Sequence, residues 1–304
     1  MTALHDMHCH LDFMENSAEV AGRAANDGSL LFANTVTPQG WIDAQTALGG
    51  LPNVLIGFGM HPWWVQGTDA DGDGRQVTAP DGRYSSPYNY AGRADDPGQQ
   101  GKFRNILAQA DSARMANSRF ARKQRTDVAD LLEEFRPQII GEVGLDLGPR
   151  HTQTHEDQVL MFERIMAWTA REQDKLVSLH SVKAAAEVLD ILQRTGALET
   201  NTFIFHWFTG PSDLLKRSVE AGCYFSCGPR MLATKKGREY VKAIPLRQLL
   251  LETDDPPKQG APYPYENLRA NLESVARDVA TIKGPEALDV IAETSVRLLT
   301  NPNA

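Results

Sequence analysis

Eight short runs dominated by apolar residues, at 4–11, 30–36, 54–60, 138–143, 175–180, 202–206, 223–227 and 248–253, punctuate this chain. Each has the length of a strand rather than of a helix. The stretches 157–172, 182–193, 212–221 and 267–281 carry apolar residues at three- and four-residue spacing, the mark of amphipathic helices. Such alternation gives either a closed (β/α)8 barrel or a doubly wound open sheet. Two features favour the barrel. The strand count reaches eight, and the polar and ionisable residues gather at the C-terminal ends of the runs, which in a barrel is the functional face. We therefore expect an α/β fold, a (β/α)8 TIM barrel forming one domain over residues 1–304, with a long insertion after the third strand and no internal repeat.

Composition narrows the function classes. With 41% hydrophobic and 23% charged residues, the chain can bury a full core and is not a disordered one. No run approaches the ~18 apolar residues of a membrane span, and the start Met-Thr-Ala-Leu-His-Asp does not read as a signal peptide. Three cysteines, Cys9, Cys223 and Cys227, make no disulfide framework, so a reducing, cytoplasmic setting is expected. The net charge of -8 excludes a molecule that is basic overall.

The insertion, 66–125, has two parts. Residues 66–101 hold seven glycines, three prolines and one aliphatic residue, Val77, too little to build a core. Asp69, Asp71, Asp73 and Gly74 have the spacing of the first half of a calcium loop, but Pro80 stands where a bidentate Glu is needed. Residues 102–125 read as a helix with seven basic residues against one acid, Asp111. A solvated helix face accounts for that charge, and a nucleic-acid arm is the alternative.

The chemistry-bearing residues lie on the strands. In Asp6-Met7-His8-Cys9-His10-Leu11-Asp12, residues two apart share a face, so His8 and His10 point together with Asp6 and Asp12 in line. Paired imidazoles suit a first-row divalent metal, and nearby carboxylates can fix their tautomers. The fourth strand carries Glu142, the fifth His180, the sixth His206, and the eighth Glu252 and Asp254. A single His or Glu at a strand end is ordinarily structural. Five such strand-end sites converging on one barrel mouth point to a metal centre.

These residues resemble the TatD family of metal-dependent hydrolases, a branch of the amidohydrolase-like barrels. The matching motifs are Asp6-x-His8-x-His10-Leu-Asp12, Gly59-Met-His61-Pro62-Trp63, Gly141-Glu142-Val-Gly-Leu-Asp146, His180-Ser181, His206-Trp-Phe-Thr-Gly210 and Leu251-Glu252-Thr-Asp254-Asp-Pro256, in family order. The resemblance implies divalent-dependent deoxyribonuclease activity, trimming DNA from a 3′ end, on a single strand or a duplex end. It implies two divalent ions (Mg, Mn or Zn). His8, His10 and Asp254 would hold one, His180 and His206 the other, with Glu142 bridging. Asp254 and Glu142 would be catalytic, and Asp6, Asp12, Asp146 and Glu252 would support the ligands. His61 would sit on the substrate side, not as a ligand, with Trp63 and Arg230 as further substrate contacts. Two ions of this kind stabilise both the attacking and the departing oxygen of an in-line phosphoryl displacement.

The chain departs from the family in three places. Val182 stands where the family has an Arg able to grip a phosphate bidentately. The stretch between His61 and Glu142 is far longer than usual, and Thr294-Ser-Val-Arg297 replaces a segment that usually carries Asn. A lactonase, amidase or deaminase on the same barrel is the rival reading. Those relatives often use a carboxylated fourth-strand lysine, which Gly141-Glu142-Val143-Gly144 lacks. A non-catalytic binding barrel would be expected to have lost ligands, and here all six are present. Of the remaining features, His151 and His155 read as a surface pair at helical spacing, and the cysteines as core residues with Cys9 facing away from the His pair. Trp63 and Trp64 read equally as base-stacking platforms or as a barrel cap.

Overall fold

The computed structural model describes residues 3–65 and 128–301. Within them the chain runs β1 (Asp6–Cys9), α1 (Ser17–Asn26), β2 (Leu31–Asn34), α2 (Pro38–Leu48), β3 (Val54–Met60), α3 (Val128–Phe135), β4 (Ile139–Asp146), α4 (His155–Glu172) and β5 (Leu176–Val182). It continues α5 (Ala185–Arg194), β6 (Thr202–His206), α6 (Ser212–Glu220), β7 (Tyr224–Cys227), α7 (Pro229–Leu232), α8 (Lys235–Ala243), β8 (Leu249–Leu251), α9 (Tyr265–Lys283) and α10 (Ala287–Thr300). The insertion lies between β3 and α3. The calcium-loop and basic-helix readings of 66–125 therefore fall outside the described residues.

All eight strands are parallel and stand side by side in sequence order. A doubly wound sheet would reverse its order at a switch point, and this one does not. The barrel closes through a seam rather than a ladder. Beyond β8, the Asp254 amide donates to His8 O (2.9 Å), and the His10 amide donates to Asp255 O (2.7 Å). Asp6 clamps the same seam, accepting from the Thr253 amide (3.0 Å) and hydroxyl (2.5 Å).

Nearly every strand residue is buried, which is why the runs read as continuous apolar sequence rather than as alternation. Phe162, Ile165 and Met166 of α4, Val188 and Leu192 of α5, and Leu272 and Val275 of α9 pack in one core with Ile140, Leu179, Phe205 and Leu249. A second core holds Val20 and Ala24 of α1 with Ala44 and Leu48 of α2, on the β1–β3 side. A third joins Met7, Phe32, Leu176, Ile204 and Leu250 to Leu298 and Leu299 of α10. Local signals set the helix starts. At α2, the Thr37 hydroxyl accepts from the Gly40 amide (3.0 Å) and Pro38 occupies the first turn. Thr234 caps α8 in the same way, with the Gly237 amide at 2.9 Å.

Two boundaries differ from expectation. β4 extends to Asp146 through a register shift between Ile140 and Val143, so Glu142 sits within the strand rather than at its end. The helix expected from 182 starts at Ala185, because Val182 still pairs with Asp146 and Lys183 adopts a left-handed backbone (φ 55°). Gly144 allows the close pairing of β4 with β5. A Cβ there would lie 2.0 Å from His180 O. No described helix is long and apolar enough to cross a membrane.

Candidate metal centre

Glu142 is the hub of the site. It is only 2% exposed, and five imidazoles surround its carboxylate. His180 Nδ1 lies 2.6 Å from Oε1, with His61 Nε2 and His206 Nε2 each at 3.5 Å. His8 Nε2 and His10 Nε2 lie 3.4 and 3.6 Å from Oε2. Asp254 completes the cluster, its Oδ1 3.4 Å from His10 Nε2. Asp254 has a left-handed backbone (φ 59°), a conformation that turns its carboxylate back over the mouth after β8. The pocket above has a volume of about 510 Å³ and is lined by His10, His61, Glu142, His180, His206 and Asp254 together with Trp63, Val182, Trp207, Arg230 and Lys258.

Each imidazole is fixed from behind. His8 Nδ1 lies 2.9 Å from Ser178 Oγ, and His10 Nδ1 lies 2.8 Å from Asn34 O. His206 Nδ1 faces Glu252 at 3.2 Å, and Glu252 also accepts from the Ser226 hydroxyl. His180 Nε2 lies 3.0 Å from Asp146, which further accepts from the Trp63 indole (2.6 Å) and the Gly148 amide (2.7 Å). Such partners set tautomer and ring orientation at metal-binding histidines.

The electrostatics follow from burial and crowding. Burial works against charge on Glu142, but His61, His8 and His180 outweigh it and hold the carboxyl well below its usual range. Burial also opposes charge on Asp254, and its bond to His10 and the charge of His206 again win, lowering its pKa. Burial disfavours the charged His206, but Glu252 and Glu142 lift its pKa to about 10. In His61 burial prevails and pushes the pKa down to about 4. The centre thus keeps its two acids ionised without solvent.

Three overlapping groups bring one ligand atom per residue within 4.8 Å of one another: His8, His206 and Asp254; His8, His10 and Glu142; and His61, Glu142 and His180. His8 Nε2 is buried and has no hydrogen-bond partner. A buried ring nitrogen left unpaired inside a ring of carboxylate and imidazole donors is what a divalent cation would satisfy. The donor set fits such a metal.

The structure brings the expected ligands together. His61 lies with Glu142 and His180, and His206 lies with His8 and Asp254 while also facing, like His180, Glu142 Oε1. Asp6 does not orient the His pair, since it is turned to Thr253 and the His8 amide. Asp12 lies near enough to influence His10 electrostatically, but its Oδ1 has no hydrogen-bond partner. Trp63 is tied down by Asp146 and stacked on His151 (ring centroids 5.2 Å), which favours its role as a cap. Arg230 does reach the site, donating to Asp254 Oδ2 (3.0 Å) and lying 5.4 Å over the Trp207 ring. His151 and His155 are not a pair: the first stacks on Trp63 just before a short 3-10 turn (Thr152–Thr154), and the second bonds Glu187 (2.8 Å). The three cysteines are unpaired and buried, with Cys9 Sγ 3.6 Å from Phe32 O.

Sequence reasoning missed Ser178, Asn34, Ser226, Thr253 and Gln158. Gln158, fully buried on α4, accepts from the Asp146 amide (2.8 Å) and donates to His151 O and Thr154 Oγ1 (both 2.9 Å). The available signal was a small polar residue inside an apolar strand, as in Leu176-Val-Ser178-Leu-His180, where Ser178 shares a face with His180.

The chain is thus an eight-stranded parallel barrel with a buried His/Glu/Asp cluster at its C-terminal mouth that could hold a metal. The sequence profile of the TatD-related DNase family matches residues 5–300, and the chain belongs to that family. It is 30% identical over 180 residues to human deoxyribonuclease TATDN3, covering 57% of this chain and 64% of that protein, just under two thirds of its length. It is 24% identical over 295 residues to the uncharacterized metal-dependent hydrolase YcfH of Escherichia coli K12, covering 92% of this chain and 88% of that one. The structure of YJJV, a TatD homolog from Escherichia coli K12, superposes with a TM-score of 0.65 at 19% identity over 99% of both chains.

Proposed function

We propose that this chain is one catalytic barrel, a divalent-metal-dependent phosphodiesterase that hydrolyses DNA from a strand end. One observation carries the reading: five imidazoles and Asp254 gathered about Glu142 beneath an open pocket. His8, His10, Glu142, His180, His206 and Asp254 would hold two ions, and His61 stands close enough to join them. Bound there, a divalent pair (Mg, Mn or Zn) supplies Lewis acidity at both oxygens of an in-line displacement at phosphorus.

The rest is work for the chain's own side chains. Asp254, kept ionised by His10 and His206, is placed to take the proton of the attacking water. Glu252 holds His206 and Asp146 holds His180, so neither ring need reorient during turnover. Arg230 and Lys258 bring positive charge to the mouth, where a phosphodiester would approach. The cavity of about 510 Å³ is large enough to take a terminal nucleotide of a single strand or of a duplex end. The names of the curated relatives, deoxyribonuclease and metal-dependent hydrolase, point the same way.

Val182 in the lining keeps a second reading open, a small ester, lactone or amide as substrate, because it offers no phosphate grip. Chelator-treated protein reloaded with Mg, Mn or Zn should hydrolyse single-stranded DNA, duplex ends and an aryl phosphodiester, and fail on lactone and amide panels. Turnover confined to the lactone or amide panel would replace the nuclease reading with the second one.

A further inference from the structure

A second groove of about 520 Å³ opens on the same face of the barrel, between the loop after β1 and helix α2. It shares Val36, Trp64 and Gln259 with the metal pocket, so the two are neighbouring compartments with Trp64 in their common wall. Their charge differs. The metal pocket carries the cations Arg230 and Lys258 beside the acids Glu142 and Asp254, whereas the described charged residues lining the groove are the acids Asp12 and Asp43 alone. The remaining lining is largely apolar, including Leu11, Met14, Ala47 and Leu48.

We infer that this groove is a nucleobase subsite, holding the base next to the scissile phosphodiester; the inference rests on the nuclease reading above. A phosphate would be repelled by the two carboxylates, and no cation lines the groove among the described residues. A base is uncharged, has faces that stack on Trp64 and an edge that can donate hydrogen bonds. Asp12 and Asp43 both line the groove, Asp43 accepting from Gln39 (2.8 Å), so the lining offers carboxylate acceptors. Cytosine and adenine carry an exocyclic amine on the edge they present, and thymine does not. The groove therefore prefers amino bases. The backbone would run past Arg230 and Lys258 while the base turns across Trp64 away from it.

The test uses binding and turnover together. Fluorescent single-stranded oligonucleotides ending in dC, dA or dT are titrated against chelator-treated wild type, Ala47→Trp and Asp43→Asn, read by anisotropy. Ala47 is exposed on α2 and lines only the groove, so a Trp there fills the space without entering the core. Wild type should bind dC and dA ends more tightly than dT. Ala47→Trp should weaken binding roughly tenfold, the scale of one lost base stack, with Ala47→Leu intermediate. Asp43→Asn should narrow the gap between dC and dT. With metal restored, KM for oligonucleotides should rise in Ala47→Trp relative to methyl p-nitrophenyl phosphate, which has no base. Equal binding by wild type and Ala47→Trp, or equal binding of dC and dT ends by wild type, overturns the subsite. Spermine binding more tightly than oligonucleotide and lost in Ala47→Trp also overturns it, making the groove a cation site. Base-dependent binding that persists while no phosphodiester is hydrolysed would leave the subsite standing and reject the nuclease reading alone.

Discussion

At the floor of the pocket Glu142 is 2% exposed and touched by five rings, while at the rim Arg230 is 55% exposed and meets Asp254 and Trp207. The floor is over-determined. Every imidazole there has a partner behind it, and each partner comes from a different strand or loop. The rim is loosely held, with side chains reaching over a cavity. Chemistry that must be the same at every turnover sits on the rigid part, and recognition of a flexible polymer sits on the adaptable one. The difference teaches that mutations in the two zones should fail differently, the floor in metal content and kcat, the rim in KM and salt response.

The largest effect should come from Glu142→Ala. It strips the shared acid from five imidazoles and should abolish divalent binding, with activity falling by more than ~100-fold. Elemental analysis should find two ions per saturated wild-type chain and fewer than one in the variant. At most one ion in the wild type would sink the binuclear proposal. Next comes Asp254→Asn, expected to lose ~100-fold or more in kcat by removing the proton acceptor. Turnover equal to wild type would place Asp254 outside the chemistry.

Moving away from the floor, Asp6→Ala would leave the Thr253 amide and hydroxyl buried without an acceptor. Metal-free stability should fall by about 2 kcal/mol in a urea titration. An unchanged midpoint would show that the seam does not depend on this clamp. Gln158→Leu should act one shell further out, loosening the loop after β4 and weakening metal binding by ~10-fold while the fold persists. Wild-type affinity in that variant would mean Asp146 holds His180 unaided. Smallest is Arg230→Ala, a rim change. KM for single-stranded DNA should rise a few-fold, and the slope of log affinity against log salt should flatten by about 0.7, one phosphate contact. A retained slope would move the backbone track elsewhere.

The floor was also the more legible zone. Its ligands are types with few uses inside an apolar strand, so His8, Glu142, His180 and His206 stand out in their runs. Strand order followed from the alternation, and β3 and β6 fall where the apolar runs place them. Glu142 was expected at a strand end because the glycines beside it look like a terminus; a shifted register instead carries β4 on to Asp146. The partners behind the ligands were hidden for another reason. Ser178 meets His8 across 170 positions of sequence, and no local spacing reports such a contact. Trp63 and Arg230 sit where only packing decides between cap and contact, and the structure ties the indole to Asp146. The family resemblance put His61 on the substrate side; the turn after β3 folds its ring inward, its Nε2 3.5 Å from Glu142.

The seam between β1 and β8 has a bearing on how the protein is born. Asp6 meets Thr253 across 247 positions, and His10 meets Asp254 across nearly the same interval. A ribosome releases the first of these residues long before it makes the second, and contacts of such separation form late because the intervening chain must be ordered first. Until the eighth strand emerges, the early histidines have Glu142 but lack Asp254 and the neighbour that closes the wall. A nascent chain therefore lacks a complete centre until the residues after β8 are made.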